Sequence, residues 1–422
     1  MWNDTRLPDI LSASHTDEMP PCLVSRGIVA CISFLTLVDL FAAQAILPTL
    51  ASAYHVSPAQ MGLAVNAATF GMAAAGLFVA VFGRHIGRRS GIAVSLLLLA
   101  VPTLLLATMP PFAVFAMLRV TQGALMATAF SLTMAYIAER GSPETASGAL
   151  AAYVTGNVAS NLLGRLASAA LADHFGLSVN FIVLASLNVA GAWLVFASLD
   201  RASTMMAAPR APAPSSPGAA SGWLQHLSNP PLVATFFIGF LILFAFIGTF
   251  TYVNFVLVRP PLSLGQMSVG FVYFVFVPAL VLTPLAGRLA QAMGPARALM
   301  ASFVLALSGL PLLLSERLPP VLAGLALVGA GTFAAQAIAT GFVGRLATGD
   351  KGSASGLYLA SYYLGGLAGS AVLGPIFESF GWGSCVGAIG VALGAGLALT
   401  TAISSNTAPG GLWVPDAKQE AE

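Results

Sequence analysis

The sequence predicts an all-α membrane protein in which twelve transmembrane helices form two pseudo-symmetric six-helix bundles. Of the 422 residues, 57% are hydrophobic and 8% are charged, whereas about a quarter of the residues of a soluble domain are charged. The apolar residues form runs of about 20, the length at which a helix crosses the hydrocarbon of a bilayer. Sequence patterns also recur at a nearly constant offset. These observations exclude a soluble globular protein, and the net charge of +2 gives no indication of a nucleic-acid partner.

The first bundle is predicted over residues 26–199, where prolines and polar loops separate six apolar runs. The segment from Pro48 to Pro58 divides the first run from the second, and the adjacent Pro110 and Pro111 divide the third from the fourth. Each run is expected to be a helix, because hydrocarbon offers no partners to backbone polar groups. The six spans are expected at about 27–50, 59–82, 90–108, 111–138, 146–171 and 177–199.

The second bundle is predicted over residues 230–404, after a segment of different composition. Residues 200–229 are rich in Pro, Ala and Ser, which is typical of a mobile linker. Residues 1–25 contain several acids and lack the pattern of a signal peptide, so they are expected to be a retained tail, and residues 405–422 form a second tail. The six spans of this bundle are expected at about 231–257, 267–289, 298–315, 319–343, 353–376 and 383–404.

Basic residues are distributed unequally between the two predicted membrane surfaces. Thirteen lie on the side of the tails and the linker, whereas Arg259 and Arg317 lie on the other side. Cytoplasmic loops carry an excess of Lys and Arg, so both termini and the linker are predicted to be cytoplasmic and the protein to be a multi-pass component of the cell (inner) membrane. The thirteen are Arg6, Arg26, Arg84, Arg88, Arg89, Arg140, Arg201, Arg210, Arg288, Arg297, Arg345, Lys351 and Lys418.

The two sets of six spans resemble each other. Gly87 and Gly294 follow the second and eighth spans and are 207 residues apart. Phe175-Gly176 and Phe380-Gly381 follow the fifth and eleventh spans and are 205 residues apart. Parallel repeats of this kind are typical of alternating-access transporters. The sequence therefore predicts two halves that share one packing arrangement.

Two motifs within the spans point to a family. Arg119, Gln122 and Gly123 have the spacing Arg-x-x-Gln-Gly in the fourth span, and Asp39 lies nine residues before Pro48 at the end of the first. With these motifs the chain resembles the major facilitator superfamily over about residues 26–404. The resemblance is to its twelve-helix bacterial branch of proton-coupled drug and sugar exporters. It implies a secondary transporter that works by alternating access.

The loop after the second span matches the family's loop signature in part. Gly87, Arg88 and Arg89 occupy its last three positions, but Arg84 stands where the family has an acid. The resemblance implies that this gating loop latches the two halves together in one state of the cycle. The missing acid implies that the latch is weakened or rewired.

Asp39 is the one carboxylate that the predicted boundaries place deep in the membrane. An unpaired charge at that depth costs at least about 2.5–3.5 kcal/mol. Burial favours the neutral form of a carboxyl group and a nearby arginine favours the charged form, so Asp39 is a candidate proton carrier. It is equally a candidate counter-ion for a cationic substrate. The purely structural alternative is a permanent ion pair with Arg119.

Two arginines, Arg119 and Arg165, fall within predicted spans, although arginine does not lose its proton in proteins. Arg119 lies at a depth comparable to that of Asp39, and we expect the two side chains to pair, with proton or substrate competing for the pair. Arg165 stands in the fifth span, where antiporters of the family often have Gly-Pro, and this leaves the direction of coupling open. It either binds substrate or extends its long side chain to the membrane interface.

Three glutamines rank first among the neutral polar groups as substrate ligands. The resemblance implies that spans one, four, seven and ten line the central cavity, with contributions from five and eleven. Gln44, Gln122 and Gln336 fall in the first, fourth and tenth spans, and with Arg165 they form the predicted substrate site. Helix packing is the alternative role of each.

The chain lacks the motifs of several enzyme classes. It contains no Gly-x-x-x-x-Gly-Lys phosphate loop, no His-Glu-x-x-His metal site and no Gly-x-Ser-x-Gly nucleophile. We therefore expect no enzymatic activity and no cofactor, with a proton gradient as the driving force. The resemblance implies a monomer that exports a small organic compound or drug by proton antiport. An uptake symporter for a small metabolite is the first alternative, and a non-transporting sensor or scaffold is the second.

Overall fold

The computed structural model describes residues 21–82, 85–140, 143–199, 225–347 and 351–406, and nearly all of these are helical. The predicted tails and linker therefore lie largely outside the described residues. Within the described residues, 3-10 helices lie at Tyr273–Phe276 and Pro311–Leu314. The α-helices are α1 (Pro21–Ala45), α2 (Leu47–Ala53), α3 (Pro58–Phe82), α4 (Arg88–Leu106), α5 (Phe112–Arg140), α6 (Pro143–Ser198), α7 (Pro230–Leu257), α8 (Gln266–Val272), α9 (Val277–Met293), α10 (Pro295–Gly309), α11 (Leu318–Leu346) and α12 (Lys351–Asn406).

These helices supply twelve spans. Ten described segments are long and apolar enough to cross a membrane, and two of them, Ala152–Ser198 and Gly352–Thr401, have 47 and 50 residues. Each is more than twice the length of about 20 residues that a span needs. Each also breaks at a glycine in the left-handed region, Gly176 (φ 85°) or Gly381 (φ 78°). The parts of α6 and α12 before and after these glycines are called their first and second segments, and the twelve predicted spans are confirmed.

Large apolar side chains cover the outside of the bundle. Trp193 is 70% exposed, Phe380 74% and Val391 75%. An exposed apolar surface of this kind would be costly in water and is suited to contact with lipid. The exposed side chains and the long apolar helices are consistent with one another, and the protein is a multi-pass membrane protein.

Three spans differ from the continuous helices that the sequence predicts, and one of them, the ninth, ends in the 3-10 helix Pro311–Leu314. In the first, α1 ends before Ile46 (φ −106°, ψ 16°) and α2 continues the span. The break precedes Pro48, which has no N–H to donate to the preceding turn. The eighth span consists of α8, the 3-10 helix Tyr273–Phe276 and α9, and Pro278 in the first turn of α9 has the same effect.

The two halves of the molecule pack alike. In the N-terminal half, the first segment of α6 lies so close to α1 that a Cβ atom on Gly156 would be 2.1 Å from the main-chain oxygen of Ala30. In the C-terminal half, the first segment of α12 approaches α7 equally closely, and a Cβ atom on Gly365 would be 2.0 Å from the oxygen of Phe240. Glycine permits this backbone contact. The shared arrangement confirms the predicted pseudo-symmetry.

Hydrogen bonds join the two halves at the membrane end opposite the start of α1 and the end of α12. The Thr49 hydroxyl donates to Gln266 Oε1 (2.8 Å), and Gln266 Nε2 donates to the main-chain oxygen of Ala45 (3.1 Å). The main-chain N–H of Ala59, in the first turn of α3, donates to Glu378 Oε1 (2.8 Å), at a helix end where an acid is favoured. We call this contact between the halves the seam.

Candidate functional site

The carboxylate of Asp39 lies inside the N-terminal half, where its side chain is 1% exposed. Asn188, on the second segment of α6, donates from Nδ2 to Asp39 Oδ2 (2.7 Å). The hydroxyl of Thr103, on α4, lies 3.4 Å from Asp39 Oδ1. Both partners belong to the same bundle as Asp39. The carboxylate is therefore held within one half of the molecule.

Arg119 binds main-chain oxygens and not the Asp39 carboxylate. Its Nε donates to the oxygen of Val65 on α3 (3.0 Å) and its Nη1 to the main-chain oxygen of Asp39 (3.2 Å). Nη1 also donates to Gln122 Oε1 (2.7 Å), one turn further along α5. The expected ion pair is absent from the described contacts of these two residues, because the guanidinium faces the backbones of α1 and α3 while the carboxylate faces α4 and α6.

A chain of side chains nevertheless connects Arg119 with Asp39. Gln122 Nε2 donates to the Thr103 hydroxyl (2.7 Å), which is the group beside the Asp39 carboxylate. The glycine of the Arg-x-x-Gln-Gly motif has a separate role. A Cβ atom on Gly123 would be 1.8 Å from the main-chain oxygen of Ala68, so this glycine lets α5 approach α3 and brings Arg119 within reach of α3.

Arg165, on the first segment of α6, is fully buried where the two halves meet. Of the two alternatives for Arg165, extension of the side chain to the membrane interface is therefore wrong. Its Nη2 donates to Gln44 Oε1 (2.5 Å), and its Nε and Nη1 have no hydrogen-bond partner among the described residues. Four rings surround the guanidinium carbon at 4.4–5.6 Å, a distance at which cation–π attraction acts. This aromatic cage consists of Phe41, Phe250, Tyr273 and Phe276.

Gln44 connects Arg165 with the C-terminal half. Gln44 Nε2 donates to Asn66 Oδ1 (2.8 Å), and Asn66 Nδ2 donates to the hydroxyl of Thr251 on α7 (3.0 Å). Asn254, also on α7, donates to the main-chain oxygen of Gln44 (3.1 Å). Arg165 thus belongs to a hydrogen-bond network to which both halves contribute.

A cavity lies between the two halves. Of the four predicted substrate ligands, Gln336 lines it, whereas Gln44, Gln122 and Arg165 lie outside its lining. Asn157, on the first segment of α6, is a further amide in the wall. Its lining comprises Leu37, Leu40, Phe41, Thr69, Met72, Phe130, Asn157, Ile242, Leu243, Phe246, Ile247, Thr332, Phe333, Gln336, Tyr362 and Tyr363.

The predicted gating loop lies at the start of α4. Gly87 precedes the helix and Arg88 is its first residue, whereas Arg84 lies outside the described residues. Arg89 donates to the main-chain oxygen of Phe196, and its guanidinium carbon lies 4.5 Å from the centre of the Phe196 ring. Arg89 therefore attaches the loop to the second segment of α6, within the N-terminal half.

Charged groups are few in the interior. Among the described side chains, Asp39, Arg119 and Arg165 are the buried carboxylate and guanidinium groups. No group of three or more His, Cys, Asp or Glu side chains in these residues is arranged to hold a metal ion. The described interior therefore contains one carboxyl group and two guanidinium groups that carry or can carry charge.

The two residues that contact the Asp39 carboxylate, Thr103 and Asn188, are not among the site residues predicted from the sequence. Each is a polar residue in an apolar run, and this is the signal that could have found them. Their depth can be estimated from the ends of the spans, but the direction in which each side chain points cannot. Many polar residues in the spans share this signal.

A protein-family model described as Major Facilitator Superfamily matches residues 29–277. An uncharacterised transporter of Buchnera aphidicola (subsp. Schizaphis graminum) is 28% identical over 380 residues, which are 89% of this chain and 88% of that protein. The MFS-type transporter YybF of Bacillus subtilis is 26% identical over 356 residues, 84% of this chain and 87% of that protein. The inner membrane transport protein YnfM of Escherichia coli is 26% identical over 343 residues, 81% of each.

Solved transporter structures share the fold. A bacterial homologue of the human lysosomal transporter Spinster, in an inward-facing and occupied conformation, superimposes with a TM-score of 0.74 at 14% identity and covers 92% of this chain and 98% of that chain. The nucleoside transporter NupG gives a TM-score of 0.67 at 14% identity, with 91% and 99% covered. The human organic anion transporter MFSD10 gives 0.69 at 19% identity, with 90% and 100% covered. At these identities the likeness shows the fold alone.

Proposed function

Because the chain belongs to the Major Facilitator Superfamily and is a membrane transporter, we propose that it exports a small organic compound in exchange for protons. The two halves move about the cavity between them, so that it opens to each side of the membrane in turn. The seam supports this cycle, since it consists of separate hydrogen bonds such as Thr49 to Gln266. Each such bond contributes only about 0.5–1.5 kcal/mol and can break in turn.

The position of Asp39 is the observation that carries the proposal. Its carboxylate is buried and makes hydrogen bonds, but no described cation forms an ion pair with it. A carboxylate in such a site can bind or release a proton without separating from a permanent partner. Asp39 is also absent from the cavity lining, where its neighbours Leu40 and Phe41 are found. This favours a proton carrier over a counter-ion for a cationic substrate.

Arg119 is the group through which protonation would act on the helices. Its guanidinium joins the backbones of α1 and α3 and connects to Asp39 through Gln122 and Thr103. A charged Asp39 attracts the guanidinium, and a protonated Asp39 does not. Proton binding would therefore loosen the contact between these helices and permit the halves to move.

The proposed transporter also has an oligomeric state, a membrane location and an orientation. We propose that it is a monomer in the bacterial inner membrane with both termini in the cytoplasm, as the distribution of Lys and Arg favours. Gln336 would contact substrate, because it lines the cavity. The loop with Arg84, Gly87, Arg88 and Arg89 would latch the halves in another state of the cycle.

Uptake by proton symport is the second candidate. Arg165 favours it, because this residue stands in the fifth span where antiporters of the family often have Gly-Pro. The fully buried guanidinium also differs chemically from that signature. Symport and antiport predict opposite directions of proton movement for the same substrate gradient.

Proteoliposomes distinguish these candidates. Purified protein is reconstituted, an outward gradient of a lipophilic cation, a neutral sugar or an aromatic carboxylate is imposed, and lumenal pH is recorded with a trapped dye. Wild type is expected to move protons against the direction of one of these compounds. Asp39→Asn is expected to lose this movement. Asp173→Asn, which removes an exposed carboxylate of the same half, is the matched control and should couple like wild type.

Proton movement in the direction of the substrate would replace antiport with symport. Normal coupling in Asp39→Asn would make Asp39 a structural residue and refute the proton site. Should wild type move none of these compounds while it remains folded, the sensor or scaffold alternative would gain support.

A further inference from the structure

One face of the first segment of α6 carries polar atoms that the protein leaves without partners. Asn157, Asn161, Arg165 and Ser168 follow one another at intervals of four, four and three residues, so they lie on the same face of the helix. The described residues contain fourteen buried side-chain nitrogen or oxygen atoms without a hydrogen-bond partner, and six of them belong to these four residues. We call this surface the α6 polar face.

The α6 polar face leads from the cavity to Arg165. Asn157 lines the cavity, Asn161 is buried one turn further along the helix, and Arg165 is buried a turn beyond that. Phe41 connects the two regions, because it lines the cavity and its ring centre also lies 5.6 Å from the Arg165 guanidinium carbon. The polar atoms therefore form a continuous series between the cavity and a buried cation.

Arg165 has the capacity to bind an anion. Its charge is permanent, and the acceptor that its Nη2 contacts among the described residues is the neutral amide oxygen of Gln44. Nε and Nη1 have no partner among the described residues. If an anion displaced the Gln44 oxygen from Nη2, two neighbouring nitrogens on either side of the guanidinium could therefore bind it together. A carboxylate fits such a pair of nitrogens with two parallel hydrogen bonds. Because Arg165 has no second described cation beside it, the site favours a ligand with a single negative charge.

The aromatic cage indicates what the rest of the ligand is like. Phe41 belongs to the N-terminal half, whereas Phe250, Tyr273 and Phe276 belong to the C-terminal half. When the halves separate at the seam, three of the four rings leave the guanidinium. A planar apolar group on the ligand can then take their place against Phe41 and the guanidinium plane.

We propose that the α6 polar face is a substrate site for aromatic monocarboxylates. The carboxylate binds Arg165, the ring replaces part of the aromatic cage, and polar substituents on the ring bind Asn161 and Asn157. Binding also draws Arg165 away from Gln44, which holds Asn66 and through it Thr251 of the other half. Substrate binding thereby loosens this connection between the halves. This inference rests on the proposed transport function and specifies its substrate class.

Equilibrium binding to the purified full-length protein tests the proposal without a proton gradient. The probes are benzoate, 4-hydroxybenzoate and 1-naphthoate, with benzamide and benzylamine as their neutral and cationic counterparts. The unfolding temperature in detergent and the heat of binding are measured for each probe. We expect the carboxylates to raise the unfolding temperature saturably and the two counterparts to leave it unchanged.

Variants assign the binding to the α6 polar face. Arg165→Gln is expected to weaken benzoate binding at least about tenfold, which corresponds to about 1.4 kcal/mol. Arg259→Gln, which removes an exposed arginine, is the charge-matched control and should bind like wild type. Asn161→Ala should weaken 4-hydroxybenzoate more than benzoate. If Arg165→Gln does not fold, Arg165→Lys serves instead, because it keeps the charge but loses the planar edge and should also bind weakly.

Three results would overturn the proposal: no carboxylate binds, benzamide binds as well as benzoate, or the Arg165 variants bind like wild type. The outcome is independent of proton coupling. Carboxylate binding through Arg165 together with normal coupling in Asp39→Asn would retain this site and refute the proton site. If instead no carboxylate binds through Arg165 and Asp39→Asn loses coupling, the proton site is retained and the substrate site is refuted.

Discussion

The two buried arginines of the N-terminal half differ in how the protein satisfies them. Arg119 donates to two main-chain oxygens and to Gln122, and one of its nitrogens has no partner. Arg165 donates to Gln44 alone, and two of its nitrogens have no partner. Both are at most 1% exposed. Burial is thus equal, and the two arginines differ in the number of hydrogen-bond partners that the described residues give them.

The surroundings of the two arginines also respond differently to movement of the halves. All three partners of Arg119 belong to the N-terminal half, so they remain together when the halves separate. Arg165 contacts Gln44 and Phe41 of its own half but Tyr273 and Phe276 of the other. Separation of the halves would therefore leave the partners of Arg119 in place, whereas it would change the surroundings of Arg165.

The largest expected effect is the difference in stability between the methionine variants of the two arginines. Arg119→Met removes three charge-assisted hydrogen bonds worth about 1.5–3 kcal/mol each, so we expect a loss of stability of at least about 3 kcal/mol. Arg165→Met removes a desolvated charge with one partner and is expected to change stability by about zero or to increase it. Thermal unfolding in detergent measures both. Equal losses in the two variants would contradict the distinction drawn between the arginines.

A smaller effect is expected at the glycine that positions Arg119. Gly123→Ala places a Cβ atom against the oxygen of Ala68 and should destabilise by about 1–3 kcal/mol, as overpacking does. A Cβ atom on Gly76 meets nothing within 4 Å, so Gly76→Ala is the control and should be neutral or slightly stabilising. Unfolding temperatures of the two variants make the comparison. A neutral Gly123→Ala would mean that α5 can move away from α3 without loss.

The asparagines of the two regions extend the comparison. Asn188→Ala removes the 2.7 Å hydrogen bond to Asp39 and should destabilise by about 1–2 kcal/mol. Asn161→Ala removes side-chain atoms that have no partner in the protein and should cost less than about 0.5 kcal/mol. Chemical unfolding in detergent tests the difference. A larger loss for Asn161→Ala would show that the α6 polar face is satisfied in solution.

The smallest effect is expected at the seam. Thr49→Val and Gln266→Ala each remove one side of the 2.8 Å hydrogen bond between the halves. In a double-mutant cycle the two changes should show a coupling energy of about 0.5–1 kcal/mol, typical of a partly exposed hydrogen bond. A coupling energy near zero would mean that this bond contributes nothing to closing the seam.

The fold could be predicted from the sequence because the features that indicate it, apolar runs and recurring patterns, are visible along the chain. The paired glycines Gly176 and Gly381, recognised by their offset, are the two positions where a long helix breaks with positive φ. The deviations at Ile46 and at Tyr273–Phe276 each precede a proline inside a run that otherwise has the hydropathy of one helix. Hydropathy marks a span but does not reveal such an interruption. The interruption at Tyr273 matters, because this residue belongs to the aromatic cage.

The candidate site could be read only in part. Asp39, Arg119 and Arg165 were recognisable as charges in apolar runs, and the structure shows that all three are buried. Their partners were not recognisable. The sequence predicts an ion pair between Arg119 and the Asp39 carboxylate. In the structure, this carboxylate accepts a hydrogen bond from Asn188 and lies beside the Thr103 hydroxyl.

By itself, the sequence determined that this chain crosses a membrane about twelve times, that its halves repeat, and which charges lie in the interior. These properties depend on composition and spacing along the chain. The tertiary structure alone decided which groups meet: Asp39 with Asn188, Arg119 with the backbone of α3, and Arg165 with Gln44 inside an aromatic cage. The physical reason is that helices which are apolar all round show no amphipathic pattern to define their inward face. Their rotation is set by packing, chiefly where glycines let backbones approach.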